Sequence, residues 1–136
     1  MIIFSIRRAA IFVLLASAVA WFTGCAFDVV HLKQTPVDSF TPASGASFEL
    51  VKEVRASLGT TYLTVLKAGT TWRESGSIRL GKVFHTQDQI VKVEGSNIYE
   101  ADLVVADGSL VGFYLPVEQS FVRLSTAIPL ETKNNH

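Results

Sequence analysis

The residue pair Asp107-Gly108 constrains the fold of this chain more than any other feature of its sequence. It separates two runs, 99–106 and 109–115, that are rich in β-branched and aromatic residues. A two-residue turn that matches the twist of its strands needs positive φ at both central positions, and Asp-Gly tolerates this. The sequence therefore predicts a β-hairpin whose cross-strand pairs are Ala106 with Ser109, Val105 with Leu110, Leu103 with Gly112, and Ala101 with Tyr114.

Both faces of this hairpin are partly apolar. The predicted core side combines Tyr99, Ala101, Leu103, Val105, Leu110, Gly112 and Tyr114. The opposite side carries Glu100, Asp102, Val104, Val111, Phe113 and Leu115. A hairpin with one hydrated face alternates more cleanly than this. Either the N-terminal tether or a strand at 120–124 covers the second face, or it is open to a partner; because large exposed apolar patches are uncommon on monomers, a cover from the same chain is favoured.

Short runs with the composition of β-strands fill the rest of the chain after residue 47. In 48–58 apolar residues occupy alternate positions, which favours a strand, although a helix would also gather Leu50, Val51, Val54 and Leu58 on one face. Clearer strands are predicted at 60–66, 72–78, 82–86 and 90–94, with turn residues between them. We therefore predict an all-β fold, a small antiparallel barrel or roll of about six or seven strands in the size range of SH3-like barrels.

The N-terminus has the layout of a secretory signal. Arg7 and Arg8 precede an uncharged, mostly apolar stretch, 9–22, which is followed by Thr23-Gly24-Cys25. A transmembrane helix needs about 20 predominantly apolar residues, whereas this stretch has about 14. We therefore predict a cleaved signal peptide at residues 1–24. An uncleaved N-terminal anchor is the alternative if residues 2–6 are counted as well.

The tetrapeptide Phe22-Thr23-Gly24-Cys25 resembles the lipobox of bacterial lipoproteins, with Phe22 where that family prefers Leu. The resemblance covers residues 1–25 only. It implies that the Cys25 thiol receives a lipid, that cleavage makes Cys25 the first mature residue, and that its new amino group is acylated. Residue 26 is Ala and not Asp. By resemblance to the sorting rule of lipoproteins in enteric bacteria, this implies that the protein is attached to the outer membrane of a two-membrane host. Cys25 is the only cysteine, so no disulfide is expected within the domain.

Composition divides the chain into a signal peptide at 1–24, a lipidated cysteine and tether at 25–47, a β domain at 48–130 and a tail at 131–136. The tether contributes one short edge strand at 27–32, or it is a disordered stalk. The whole chain has 12 basic and 12 acidic residues, and loss of Arg7 and Arg8 leaves 10 and 12, a formal charge of −2. This balance argues against a nucleic-acid partner and leaves membrane association to the lipid.

The sequence shows no established pattern of catalytic or metal-binding residues. His31, His85 and His136 are far apart, and a metal site needs several converging ligands. His85 is expected to face solvent or a neighbouring carboxylate in a strand, whereas Glu100 and Asp102 are expected on a hydrated hairpin face. Nucleophile-elbow and phosphate-loop motifs are absent from the sequence. We therefore predict no metal, no cofactor and no enzymatic activity.

Trp72 and Phe113 are the two aromatic residues nominated for exposure, because Trp72 follows a Gly-Thr-Thr turn and Phe113 lies on the outer face of the hairpin. Exposed aromatic side chains often anchor interfaces; packing in the core is the alternative. The leading functional prediction is a non-enzymatic binding or structural module, held at the envelope by its lipid, with an envelope protein as partner. The alternatives are a periplasmic inhibitor of a cell-wall hydrolase such as lysozyme, which rests on architecture alone, and an enzyme of unknown substrate.

Overall fold

The structure is a computed structural model that describes residues 32–59 and 62–134. The predicted signal peptide, Cys25, His31 and His136 lie outside these residues. The regular secondary structure of the described residues consists entirely of β-strands, so the predicted all-β class is confirmed. In chain order they are Gln34–Pro36 (β1), Thr41–Pro42 (β2), Ser47–Leu50 (β3), Val54–Ser57 (β4), Leu63–Leu66 (β5), Thr71–Ile78 (β6), Gly81–His85 (β7), Lys92–Glu94 (β8), Ile98–Glu100 (β9), Asp102–Ala106 (β10), Ser109–Leu115 (β11), Ser120–Pro129 (β12) and Thr132–Asn134 (β13).

Nine of these strands form one antiparallel sheet. Its order is β1-β12-β11-β10-β7-β6-β3-β13, and β2 also pairs with β6. Two short hairpins, β4-β5 and β8-β9, form separate two-stranded sheets. They contribute Val54, Ala56, Leu66 and Val93 to the same apolar cluster as the large sheet. The two hairpins therefore cover one face of that sheet, which we call its inner face.

The large sheet is not closed into a barrel. Its edge strands within the described residues are β1 and β13, which do not pair with each other. The C-terminal segment instead links distant parts of the sheet, because β12 pairs with β11 whereas β13, the next strand, pairs with β3. The strands also outnumber the predicted six or seven, since the run at 48–58 divides into β3 and β4 and short strands at both ends add β1, β2 and β13.

Segments that the sequence assigns to the tether and the tail take part in the sheet. Within 33–47, β1 pairs with β12 and β2 pairs with β6; within 131–136, β13 pairs with β3. These strands have two or three residues each and are mostly exposed. Because they bury little, their own composition carries no core pattern, and their pairing depends on longer strands that are distant in sequence.

The turn of the central hairpin forms as predicted. The φ angles are 52° at Asp107 and 74° at Gly108, so both central positions have the left-handed backbone that this turn requires. The two predicted pairs nearest the turn, Ala106 with Ser109 and Val105 with Leu110, are confirmed.

A bulge at Val111 changes the register of the hairpin beyond these pairs. The pairs that follow are Val104 with Gly112, Leu103 with Phe113, and Asp102 with Tyr114. The two remaining predicted pairs are therefore wrong. An extra residue in one strand moves every following side chain of that strand to the other face of the sheet. A prediction based on strict alternation of the two faces does not allow for such a bulge.

Apolar side chains pack on both faces of the sheet. The inner cluster includes Leu50, Trp72, Leu103 and Phe113, which have no exposed surface. Burying a side chain of this size contributes about 1.5–3 kcal/mol each. A second cluster, on the outer face, contains Ile78, Val83, Val104, Tyr114 and Phe121.

The segment between β1 and β2, residues 37–40, covers this outer cluster; we call it the strap. Phe40 stacks on Tyr114 with the ring centroids 5.3 Å apart, and Val37 packs against the same cluster. Gly76 permits this arrangement, since a Cβ at that position would collide with the Phe40 ring. The second face of the hairpin is thus covered by the same chain, as the sequence favoured.

Candidate binding cleft

A cleft of about 540 Å³ opens where β7 ends and β10 begins. The two strands are paired, with Phe84 opposite Leu103, so the end of one and the start of the other meet at the same end of the sheet. The β8-β9 hairpin connects them, and the residues at its base form part of the wall. The lining residues that matter most are His85, Gln87, Ile90, Glu100, Asp102 and Pro116.

A histidine–aspartate pair lies in this cleft. His85 is the last residue of β7 and Asp102 is the first of β10, and the His85 Nδ1 atom is 2.7 Å from Asp102 Oδ1. The His85 side chain is 59% exposed, whereas that of Asp102 is 12% exposed. The expectation that His85 faces solvent or a carboxylate is confirmed. The expectation that Asp102 lies on a hydrated face is wrong, because the bulge in the hairpin places it opposite the buried Tyr114.

Burial dominates the electrostatics of the pair. It raises the pKa of Asp102 above the ordinary value of 3.8; the hydrogen bond and the charge of His85 act against this shift, and the charge of Glu100 adds to it. Burial, and then the Asp102 carboxylate, also raise the pKa of the Tyr114 phenol. Desolvation disfavours the charged form of an acid. The charged form of Asp102 therefore needs a hydrogen-bond donor to stabilise it, and either His85 or a ligand in the cleft can supply that donor.

The loop 86–89 between β7 and β8 is fixed by hydrogen bonds to neighbouring strands. Thr86 Oγ1 donates to the carbonyl oxygen of Thr71 at 2.6 Å, and Asp88 Oδ2 accepts from the Thr71 N–H at 2.6 Å. Gln89 Nε2 donates to the carbonyl oxygen of Val65 at 3.0 Å. A second cleft of about 350 Å³ shares this loop. The position of the loop 86–89 is thus set by the fold before any ligand binds.

Trp72 and Phe113, the predicted interface anchors, do not lie at a surface. Both side chains are fully buried in the inner cluster. The Trp72 Nε1 atom donates to Thr70 Oγ1 at 2.9 Å, which satisfies the indole inside the core. Phe113 faces inward because the bulge at Val111 turns it to the side of Leu103. The prediction that these two residues are exposed is wrong, and this structure gives neither of them access to a partner.

Ile90 is a large apolar residue that the structure exposes at the cleft. Its exposed fraction is 69%, whereas Val91 beside it is buried. Residues 90–94 are predicted from the sequence as one strand with no binding residue in it. The signal that could have found Ile90 is the alternation of Val91 and Val93 with Lys92, which places Ile90 on the outward side.

In the part of the chain that the structure describes, no three His, Cys, Asp or Glu side chains are arranged to hold a metal ion. Nor do these residues form a helix with the length and apolar character needed to cross a membrane. Comparisons with protein-family models, curated proteins and solved structures gave no match. Any functional assignment therefore depends on the sequence and on the geometry of the cleft.

Proposed function

We propose that this chain is a bacterial envelope lipoprotein whose β domain is a non-enzymatic binding or structural module. The lipid on Cys25 anchors it, and by resemblance of the signal and of Ala26 its location is the periplasmic face of the outer membrane in a two-membrane host. The cleft between β7 and β10 is its binding site, and the expected ligand is another protein of the envelope.

The observation that carries this proposal is the mixed chemistry of the cleft. Ile90 and Pro116, which line the cleft, both offer exposed apolar surface. His85 and Asp102 provide a hydrogen-bonding pair between them, and the exposed Glu100 adds a carboxylate. Protein interfaces combine apolar surface with hydrogen-bonding polar groups in this way.

The His85–Asp102 pair has the form of two members of a catalytic triad. In a triad the other imidazole nitrogen bonds to a nucleophile. Within the described residues, the hydrogen bond of the His85 ring is to Asp102, and its other nitrogen has no hydroxyl or thiol partner. This arrangement supports recognition by a donor and an acceptor, and our proposal assigns no covalent chemistry to it.

The anchor is tested by the intact mass of membrane-extracted protein, wild type against Cys25→Ser. We expect a wild-type chain that begins at Cys25 and carries added acyl mass, and a variant that lacks this mass. An unmodified chain that retains Met1 would overturn the anchor and would make residues 1–24 a membrane anchor instead.

The binding cleft is tested by photo-crosslinking in intact cells. A photoreactive amino acid at Ile90 is compared with the same group at Val51, which is also an exposed apolar residue, at 54%, but lies outside the cleft. We expect a defined envelope protein to be crosslinked from position 90 and not from position 51. Equal labelling from both positions would contradict the proposal. Slowed peptidoglycan hydrolysis by lysozyme in the presence of the purified domain would favour the inhibitor alternative.

A further inference from the structure

The first described residue, Leu32, lies beside the turn that joins β8 to β9. Leu32 packs against the inner cluster, and a Cβ on Gly95 would lie 2.7 Å from Leu32 Cγ. Gly95 belongs to the turn between β8 and β9. The chain that leads back to Cys25 therefore leaves the folded domain beside this turn.

Strand β5 lies beside β8 and runs in the opposite direction. Thr64 Oγ1 donates to the carbonyl oxygen of Lys92 at 3.1 Å, and further along β5 the Val65 carbonyl oxygen accepts from Gln89 Nε2 at 3.0 Å. Since β5 advances from 64 to 65 while its partners recede from 92 to 89, the start of β5 lies at the end of β8. The start of β5 and the β8-β9 turn thus share one end of the domain.

This end exposes three large apolar side chains, which we call the apolar tip. Leu63, the first residue of β5, is 55% exposed, and Tyr62 just before it is 54% exposed. Ile98, just after the β8-β9 turn, is 64% exposed. They are half of the six large apolar residues that are exposed in the described part of the chain. Lys33, which follows Leu32, is exposed as well.

The length of chain outside the structure places this tip near a bilayer. Cys25 precedes Leu32 by seven residues, and seven residues span at most about 25 Å even when fully extended. A lipid on Cys25 therefore keeps Leu32, which lies beside the β8-β9 turn, within about 25 Å of the membrane surface. Such tethering gives a weak apolar contact a high effective concentration, so a small patch suffices.

We propose that the apolar tip rests on the lipid surface and inserts Leu63 and Ile98 between the headgroups. This inference rests on the proposed lipid at Cys25. It fixes an orientation, because Pro116 lies at the opposite, basal end of the β8-β9 hairpin, in the cleft that Ile90 and Glu100 also line. The binding cleft then opens away from the membrane, toward partners in the aqueous compartment.

The test places an environment-sensitive fluorophore at the tip of the lipidated protein. Once Cys25 is acylated it has no free thiol, so Ile98→Cys provides the only labelling site. Val117→Cys is the matched control, an exposed apolar residue, at 83%, in the turn next to Pro116. Both proteins are shown by intact mass to carry the acyl groups and are reconstituted in phosphatidylcholine and phosphatidylethanolamine vesicles.

We expect the emission of the label at position 98 to move to shorter wavelength, with quenching by spin labels placed about 5–10 Å below the headgroups. The label at position 117 should keep its aqueous spectrum and escape quenching. An aqueous, unquenched spectrum at position 98 in acylated protein would overturn the orientation and leave the anchor intact. Energy transfer between labels at position 98 on neighbouring chains would also overturn it, since a second copy would then occupy the tip. Absence of acyl mass would overturn both proposals.

Discussion

The chemistry of Asp102 depends on contacts made by the whole sheet. Its neighbours in the paired strands are His85 on β7 and Tyr114 on β11, and no short stretch of sequence contains all three. From the sequence, His85 could be assigned to a strand near solvent or a carboxylate. Its partner could not be identified, because the side on which Asp102 lies is decided by the bulge at Val111.

A direct prediction concerns the pH dependence of stability. Because the native pKa of Asp102 is raised above 3.8, the folded chain binds this proton more tightly than the unfolded chain. The contribution of Asp102 to the free energy of unfolding is therefore greatest below pH 3.8 and falls as pH rises through the native pKa. We expect the wild-type free energy of unfolding, minus that of Asp102→Asn, to decrease across this window and then level off, as measured by urea denaturation at several pH values.

The matched control is Asp107→Asn, which changes an exposed carboxylate in a turn where Asn also tolerates positive φ. Its difference from the wild type should not follow the same curve. Parallel stability curves for the wild type and Asp102→Asn would show that burial of this carboxyl group does not alter its proton affinity.

At the scale of the strands, the alternation of apolar and polar residues in the sequence predicted those segments in which every second side chain is buried. In β4 the sequence alternates buried Val54 and Ala56 with exposed Arg55 and Ser57; the run 48–58 was predicted to be β, although as one strand and not as β3 and β4. The strap could not be predicted in the same way, because Phe40 lies among Pro, Ser and Thr residues. Its position is determined by Tyr114 and by the open space above Gly76, both distant in sequence.

The strap should therefore contribute measurably to stability. Phe40→Ala removes the ring that stacks on Tyr114 and uncovers the outer cluster. Since Phe40 is only partly buried, we expect a loss of about 2 kcal/mol, below the range for a fully buried Phe. Urea denaturation measures this loss. Ser39→Ala, at the exposed neighbouring position, is the control and should change stability little; equal stability of the two variants would mean that the strap does not hold the outer face.

At the scale of the whole molecule, the short strands at the two ends of the described chain decide the architecture. β1 adds to β12 at one edge of the large sheet, and β13 adds to β3 at the other, so both ends of the described chain pair with strands that are distant in sequence. The sequence predicted the all-β class, since that depends on many similar runs. It could not predict this arrangement, because loose segments such as 131–136 become strands only when a distant edge is available to them.

Truncation after Leu130 tests this role of the C-terminal strand. The deletion removes β13, its pairing with β3, and the bond in which the Val51 N–H donates to the Glu131 carbonyl oxygen at 2.9 Å. Backbone hydrogen bonds contribute about 1 kcal/mol each, so we expect a loss of about 2–3 kcal/mol in the free energy of unfolding, measured by urea denaturation. Truncation after Asn134 leaves all of β13 in place and should keep the wild-type value. If both truncated chains were as stable as the full chain, residues 131–136 would act as the tail that their composition suggests, and the pairing of β13 with β3 would add nothing to the stability of the sheet.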